Sequence, residues 1–120
     1  MNPKLRTAML INLIFSSLSA ITFLLFTKAI ASASGASELM LRLVAVALLG
    51  FVGILWYGIQ SKQILIAKIA IILDTLWVIS SLIVLMTGWL VLTPSGVIGV
   101  TGIAVVVAGF AIWQLASIKE

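Results

Sequence analysis

The chain has 120 residues, of which 63% are hydrophobic and 8% charged, with a formal net charge of +4. A water-soluble domain of this size cannot hide so much apolar surface, so the composition excludes one and points to a membrane. Cysteine and histidine are both absent, which rules out disulfides and thiol chemistry and removes the commonest general base and metal ligand.

In chain order, Lys4 and Arg6 lead into a first apolar run from Thr7 to Thr27. Small-residue pairs after it, Ala29-Ile30-Ala31 and Ala31-Ser32-Ala33, resemble signal-peptidase sites. The run is longer than the ~7–15 apolar residues of a signal peptide, so it reads as a retained span. Lys28 to Ser37, rich in Ala, Ser and Gly, reads as a loop. Glu38 and Arg42 open a second span, closed near Ile59 by Trp56 and Tyr57. Gln60-Ser61-Lys62-Gln63 is a polar turn. A third apolar run, Ile64 to about Leu92, is interrupted by Lys68, which leaves its start open. Thr93-Pro94-Ser95-Gly96 is a second turn, with Pro94 well placed to begin a helix. A fourth span ends near Ala116.

Each run is close to the ~20 residues a helix needs to cross a bilayer. The expected fold is all-α: one integral membrane four-helix bundle over residues 1–120, with spans at about 7–27, 39–59, 66–90 and 95–116. Placing both termini in the cytoplasm puts Lys4, Arg6, Lys62, Lys68 and Lys119 inside and leaves Lys28 and Arg42 outside, as the positive-inside rule asks. Trp56, Tyr57 and Trp113 then form an inner aromatic belt and Trp89 marks the outer face.

Sliding the chain by 62 positions sets Arg6 on Lys68, Asn12 on Asp74 and Phe15 on Trp77. Such a repeat suggests two tandem helical hairpins of one orientation, related by an axis along the membrane normal. Asn12 and Asp74 would each lie six residues, ~9 Å, past a boundary cation. A third helix beginning near Lys68 would keep Asp74 in the inner third of the membrane, which is energetically easier than the midplane.

Asp74 is the only acid within an apolar run; Glu38 sits in a loop and Glu120 at the C-terminal end of the sequence. That leaves paired-carboxylate catalysis without its parts, and no enzyme, metal site or cofactor is expected. Asp74, Trp77 and Ser81 share one helical face, and Asn12, Ser16 and Ser19 share another, flanked by Ala8 and Phe23. Polar groups find no partners in lipid, so both faces should turn inward and bring Asp74 near Asn12 and Ser16. The bland reading is interhelical glue; the sharper one is a proton or cation site at Asp74. Glue weighs more, because one acid without a second acid or base is a poor relay. Trp77 reads as bulk before it reads as the wall of a pocket. Gly50, Gly53, Gly99, Gly102 and Gly109 read mostly as packing within the bundle, with an oligomer interface as the alternative. Tyr57 and Gln114, near helix ends, read as meeting headgroups rather than closing a pocket.

The Asn12-x-x-Phe15-Ser16 and Asp74-x-x-Trp77-Val78-x-x-Ser81 patterns resemble a group of small, uncharacterised four-span bacterial inner-membrane proteins. That likeness implies the bacterial inner membrane and brings no activity with it. In size the chain is also similar to the small multidrug transporters, whose working carboxylate is a Glu in the first helix. Asn12 stands in the first helix here, so their mechanism does not carry over. Dual-topology fluoride channels are similar in size too, but their polar pattern is missing.

Three roles are consistent with these residues. The first is a non-enzymatic accessory or scaffold component of a membrane assembly. The second is a proton- or cation-coupled transporter or channel using Asp74. The third is a binder of a lipid, quinone or other hydrophobic ligand among Trp77, Phe15 and the glycine faces. The expected partners are the bilayer and a homo-oligomer or larger membrane complex. Nucleic acid is not expected, because the basic residues flank apolar runs and do not cluster.

Overall fold

In a computed structural model, described over residues 3–87 and 93–118, the chain forms five α-helices. They are α1 (Pro3–Leu25), α2 (Thr27–Ser34), α3 (Glu38–Ser61), α4 (Ile64–Thr87) and α5 (Pro94–Ile118). Among the described residues there is no strand. The four long helices are each apolar enough to cross a membrane, so the molecule is a multi-pass membrane protein built as a helical bundle. Trp89, Lys119, Glu120 and the far end of the third apolar run lie outside the described residues.

The expected loop at Lys28–Ser37 is mostly the short helix α2. The helical path bends at Phe26 but keeps its ladder there, with Phe26 N–H donating to Thr22 O and Ile30 N–H to Phe26 O, both at 2.9 Å. Alternating alanines favour helix over loop. Gly35 then ends it in the left-handed conformation (φ 79°), where glycine carries no Cβ penalty. Ser37 caps α3 by accepting from Met40 N–H at 3.1 Å, with Glu38 in the first turn to complement the helix dipole. Lys62 ends α3 with a positive φ of 57°.

The third membrane helix begins at Ile64, not near Lys68. Nothing in Ile64–Ala67 opposes a helix, and the exposed Lys68 can lay its long stem along the surface without breaking the run. Asp74 is therefore ten residues into α4, about 15 Å along its axis, and the shallow placement loses its support from helix length.

α1 packs most closely on α3 and α4 on α5, giving two successive helical hairpins. The hairpins meet through α1–α5 and α3–α4 contacts. Round the bundle the order is therefore α1, α3, α4, α5, with α1 and α4 on one diagonal. Burial agrees with the 62-position offset at three pairs, Leu5 and Ala67, Ala8 and Ala70, and Asn12 and Asp74, and departs from it at Ala20, which falls on the exposed Leu82. At the end carrying Lys4, Arg6 and Lys68, the interior is a packed cluster of Leu5, Met9, Leu55, Ile59, Ala67 and Ala70. Outward faces are apolar, as lipid contact requires; Met86, Ile98 and Leu25 are 84%, 73% and 72% exposed.

The glycines correct one expectation. At Gly50, Gly53, Gly99, Gly102 and Gly109 an added Cβ would meet nothing within 4 Å, so these residues do not serve packing within the bundle. Among the helical glycines of the described residues, Gly58 and Gly96 do. A Cβ at Gly58 would come within 2.7 Å of Ile66 and 2.9 Å of Met9, and one at Gly96 would strike the Ser34 carbonyl. That second contact belongs to a clasp between the hairpins. Thr93 N–H donates to Ser34 O at 3.0 Å, and the Thr93 hydroxyl donates to Ala33 O. The same hydroxyl caps α5 by accepting from Gly96 N–H at 3.1 Å.

Candidate functional site

Asp74 points into the bundle and is 3% exposed. Its partner from the diagonal helix is Asn12, whose Nδ2 donates to Asp74 Oδ2 at 2.9 Å. The same nitrogen donates its other hydrogen to Gln114 Oε1 at 3.2 Å. Gln114 Nε2 completes the ring by donating to Asp74 Oδ2 at 3.0 Å. Three helices thus meet in a closed triangle of side chains, held on one side by Ser16, whose Oγ donates to Asn12 Oδ1 at 3.3 Å. Asn12, Ser16 and Gln114 are all buried, so these bonds form away from water, where each unmade one would cost more.

Gln114 corrects an expectation: it is a fully buried member of the triangle rather than a headgroup contact. Its position four residues from the end of α5 misleads, because its side chain faces Asn12 and Asp74 inside the bundle. The available signal was its face: Val107, Phe110, Gln114 and Ser117 recur at helical spacing and are buried together. Tyr57 is exposed and takes no part.

The other expected residues divide. Phe15 packs its ring against Phe110 at 5.4 Å between centroids, with the planes tilted by 57°. Ser81 is buried, but its hydroxyl donates to its own helix at Trp77 O (2.8 Å), so it stays out of the triangle. Seven residues separate it from Asp74, ~10 Å along the axis, too far to share a hydrogen bond. The Trp77 indole N–H is buried without a hydrogen-bond partner among the described residues.

The triangle sits beside empty space. A lower cavity of about 390 Å³ is walled by all four long helices and includes Phe15, Ser16, Phe51, Asp74, Trp77 and Val107. An upper cavity of about 420 Å³ continues toward α2, with Ile30, Ser34, Ser81, Val84 and Gly99 among its walls. Phe23, Trp77 and Ile103 line both. On the opposite side of Asp74 the interior is filled by the Leu5–Met9–Leu55 cluster. Asp74 is therefore at the closed end of a mostly apolar chamber. Asp74 Oδ2 takes both amide donors, and Oδ1 accepts nothing from the described residues. The site can receive an apolar body and offer its polar head one carboxyl oxygen.

No family model matches the chain, and neither a curated protein nor a solved structure matches it.

Proposed function

We propose that this protein is a non-enzymatic bundle of the bacterial inner membrane that holds a small, largely apolar molecule between its helices. The observation that carries this reading is the lower cavity, about 390 Å³ in volume, aromatic-walled and bearing one carboxyl group. Pockets of ~300–1,000 Å³ with few polar groups in an apolar wall are the usual form of small-molecule sites. The orientation with both termini in the cytoplasm is supported by exposed Lys4, Arg6, Lys62 and Lys68 at one end of the bundle.

Native mass spectrometry of protein released from nanodiscs of native lipid tests the reading. A retained small-molecule adduct is expected, and it should be lost in Gly50→Leu. Gly50 lines the lower cavity, and a Cβ there meets nothing within 4 Å, so a larger side chain has open space to enter. Bare protein throughout would overturn the assignment.

Proton or cation transport through Asp74 ranks below ligand holding, because the packed Leu5–Met9–Leu55 cluster occupies the path beyond the carboxyl group. Unchanged flux by Asp74→Asn in liposomes would remove Asp74 from any such mechanism. The accessory reading is compatible with ligand holding. It draws support from Gly53, Gly102 and Gly109, open glycines outside the cavity walls, which would admit a helix of a second copy or of another protein.

A further inference from the structure

We infer that the two cavities form one elongated site for a single-chain amphiphile. Its head donates an O–H or N–H hydrogen bond to Asp74, and its tail runs past Trp77 toward α2. This rests on the ligand-holding reading and extends it from a chamber to a class of ligand.

Three observations carry it. First, the cavities are stacked along the bundle and divided by a shared wall of Phe23, Trp77 and Ile103. A partition made of side chains opens by rotation, without moving a helix. Second, the Trp77 indole N–H is buried with no partner among the described residues. A buried unsatisfied donor is unfavourable, so the indole loses no hydrogen bond when it turns. The partition is held by packing alone. Third, when Asp74 is ionised the lower end has an acceptor left to fill. Both amide N–H groups converge on Asp74 Oδ2, and Oδ1 receives nothing from the described residues. An ether or a quinone carbonyl brings no hydrogen for that oxygen; a hydroxyl or an amine does. The upper cavity has a mainly apolar wall, and its four serines include Ser81, already bonded to its own helix. It suits the tail.

The test uses the full chain in nanodiscs, with Trp56, Trp89 and Trp113 replaced by Phe so that Trp77 alone emits. The probes are decan-1-ol, decan-1-amine, decyl methyl ether and butan-1-ol, compared at equal mole fraction in the bilayer so that partitioning cancels. Bound molecules are counted by native mass spectrometry. One decan-1-ol or decan-1-amine per protein is expected, at least tenfold tighter than the ether, and the tighter head identifies the donor. Trp77 emission should shift on saturation with the ten-carbon probes and stay fixed with butan-1-ol. Gly99→Leu adds bulk to the wall of the upper cavity, where a Cβ also meets nothing within 4 Å. It should weaken the ten-carbon probes at least tenfold and leave butan-1-ol unchanged. An ether as tight as the alcohol, a fixed Trp77 emission, or ten-carbon binding indifferent to Gly99→Leu would overturn the inference. If Gly50→Leu still abolishes binding in those cases, the lower chamber stands as a site and only its extension falls. If no probe binds and no adduct is retained, both readings fall.

Discussion

Asn12→Leu is the most informative single perturbation of the bundle. The Asn12 side chain donates to Asp74 at 2.9 Å and to Gln114 at 3.2 Å, and it accepts from Ser16 at 3.3 Å. The first two bonds join α1 to α4 and α5. Interhelical hydrogen bonds in membranes average ~0.6 kcal/mol and reach ~1.7, so losing the pair costs about 1–3 kcal/mol. That corresponds to roughly one to two decades in the unfolding equilibrium. Leucine keeps the branched four-atom skeleton of the asparagine side chain, which limits the steric change beside Ser16. The measurement is reversible unfolding in bicelles by steric trapping, on Asn12→Leu, Gln114→Leu and the double variant. Because the three side chains form one ring, the two single losses should not add. The second substitution should cost markedly less once the first has opened the triangle. Replacing Asn12, Asp74 and Gln114 together by leucine should recover much of the loss, since an apolar core is better than a half-satisfied network. Strictly additive losses, or a change below ~0.3 kcal/mol for Asn12→Leu, would refute the cooperative ring.

Three further outcomes follow from other parts of the fold. Gly58→Ala should destabilise by about 1–3 kcal/mol, because its Cβ would meet Ile66 and Met9 below 3 Å, whereas Gly102→Ala should be neutral or slightly stabilising in the same assay. Thr93→Val removes the cap of α5 and the hydroxyl tie to Ala33, at a cost of about 1 kcal/mol; a thiol introduced as Ser34→Cys should then react faster with a maleimide, and an unchanged rate would show that the clasp does not hold α2. In a chain that naturally contains no cysteine, Gln63→Cys should be labelled only from the cytoplasm and Ser32→Cys only from outside, and the reverse pattern would invert the assigned topology.

The centre of the bundle was legible in the sequence and its periphery was not. Asn12 and Asp74 announced themselves as polar residues in apolar runs, at equal registers of two similar halves, and they bond directly across the diagonal. Four spans followed from run length alone. Gln114 is harder to read, because distance from a helix end is a poor guide to depth when a long side chain can reach back along the bundle. α2 was hidden because Ala-Ser-Gly composition suits a loop as well as a short helix, and Thr27 and Gly35 decide between them through local hydrogen bonds and φ. The glycines misled in the opposite sense. Spacing places them on faces but says nothing about whether another helix is there to fill the gap. Cavities leave no mark on periodicity, since they are the space that four packed faces fail to fill.

The likeness of the two halves has a final consequence. A dimer of identical hairpins would set like against like across its axis, carboxyl facing carboxyl or amide facing amide. Joining the halves in one polypeptide frees each to differ, so that an amide donor on α1 faces an acid acceptor on α4 at the same height. The covalent link between hairpins is thus what permits a donor and an acceptor, rather than two like groups, to face each other across an otherwise near-symmetric body.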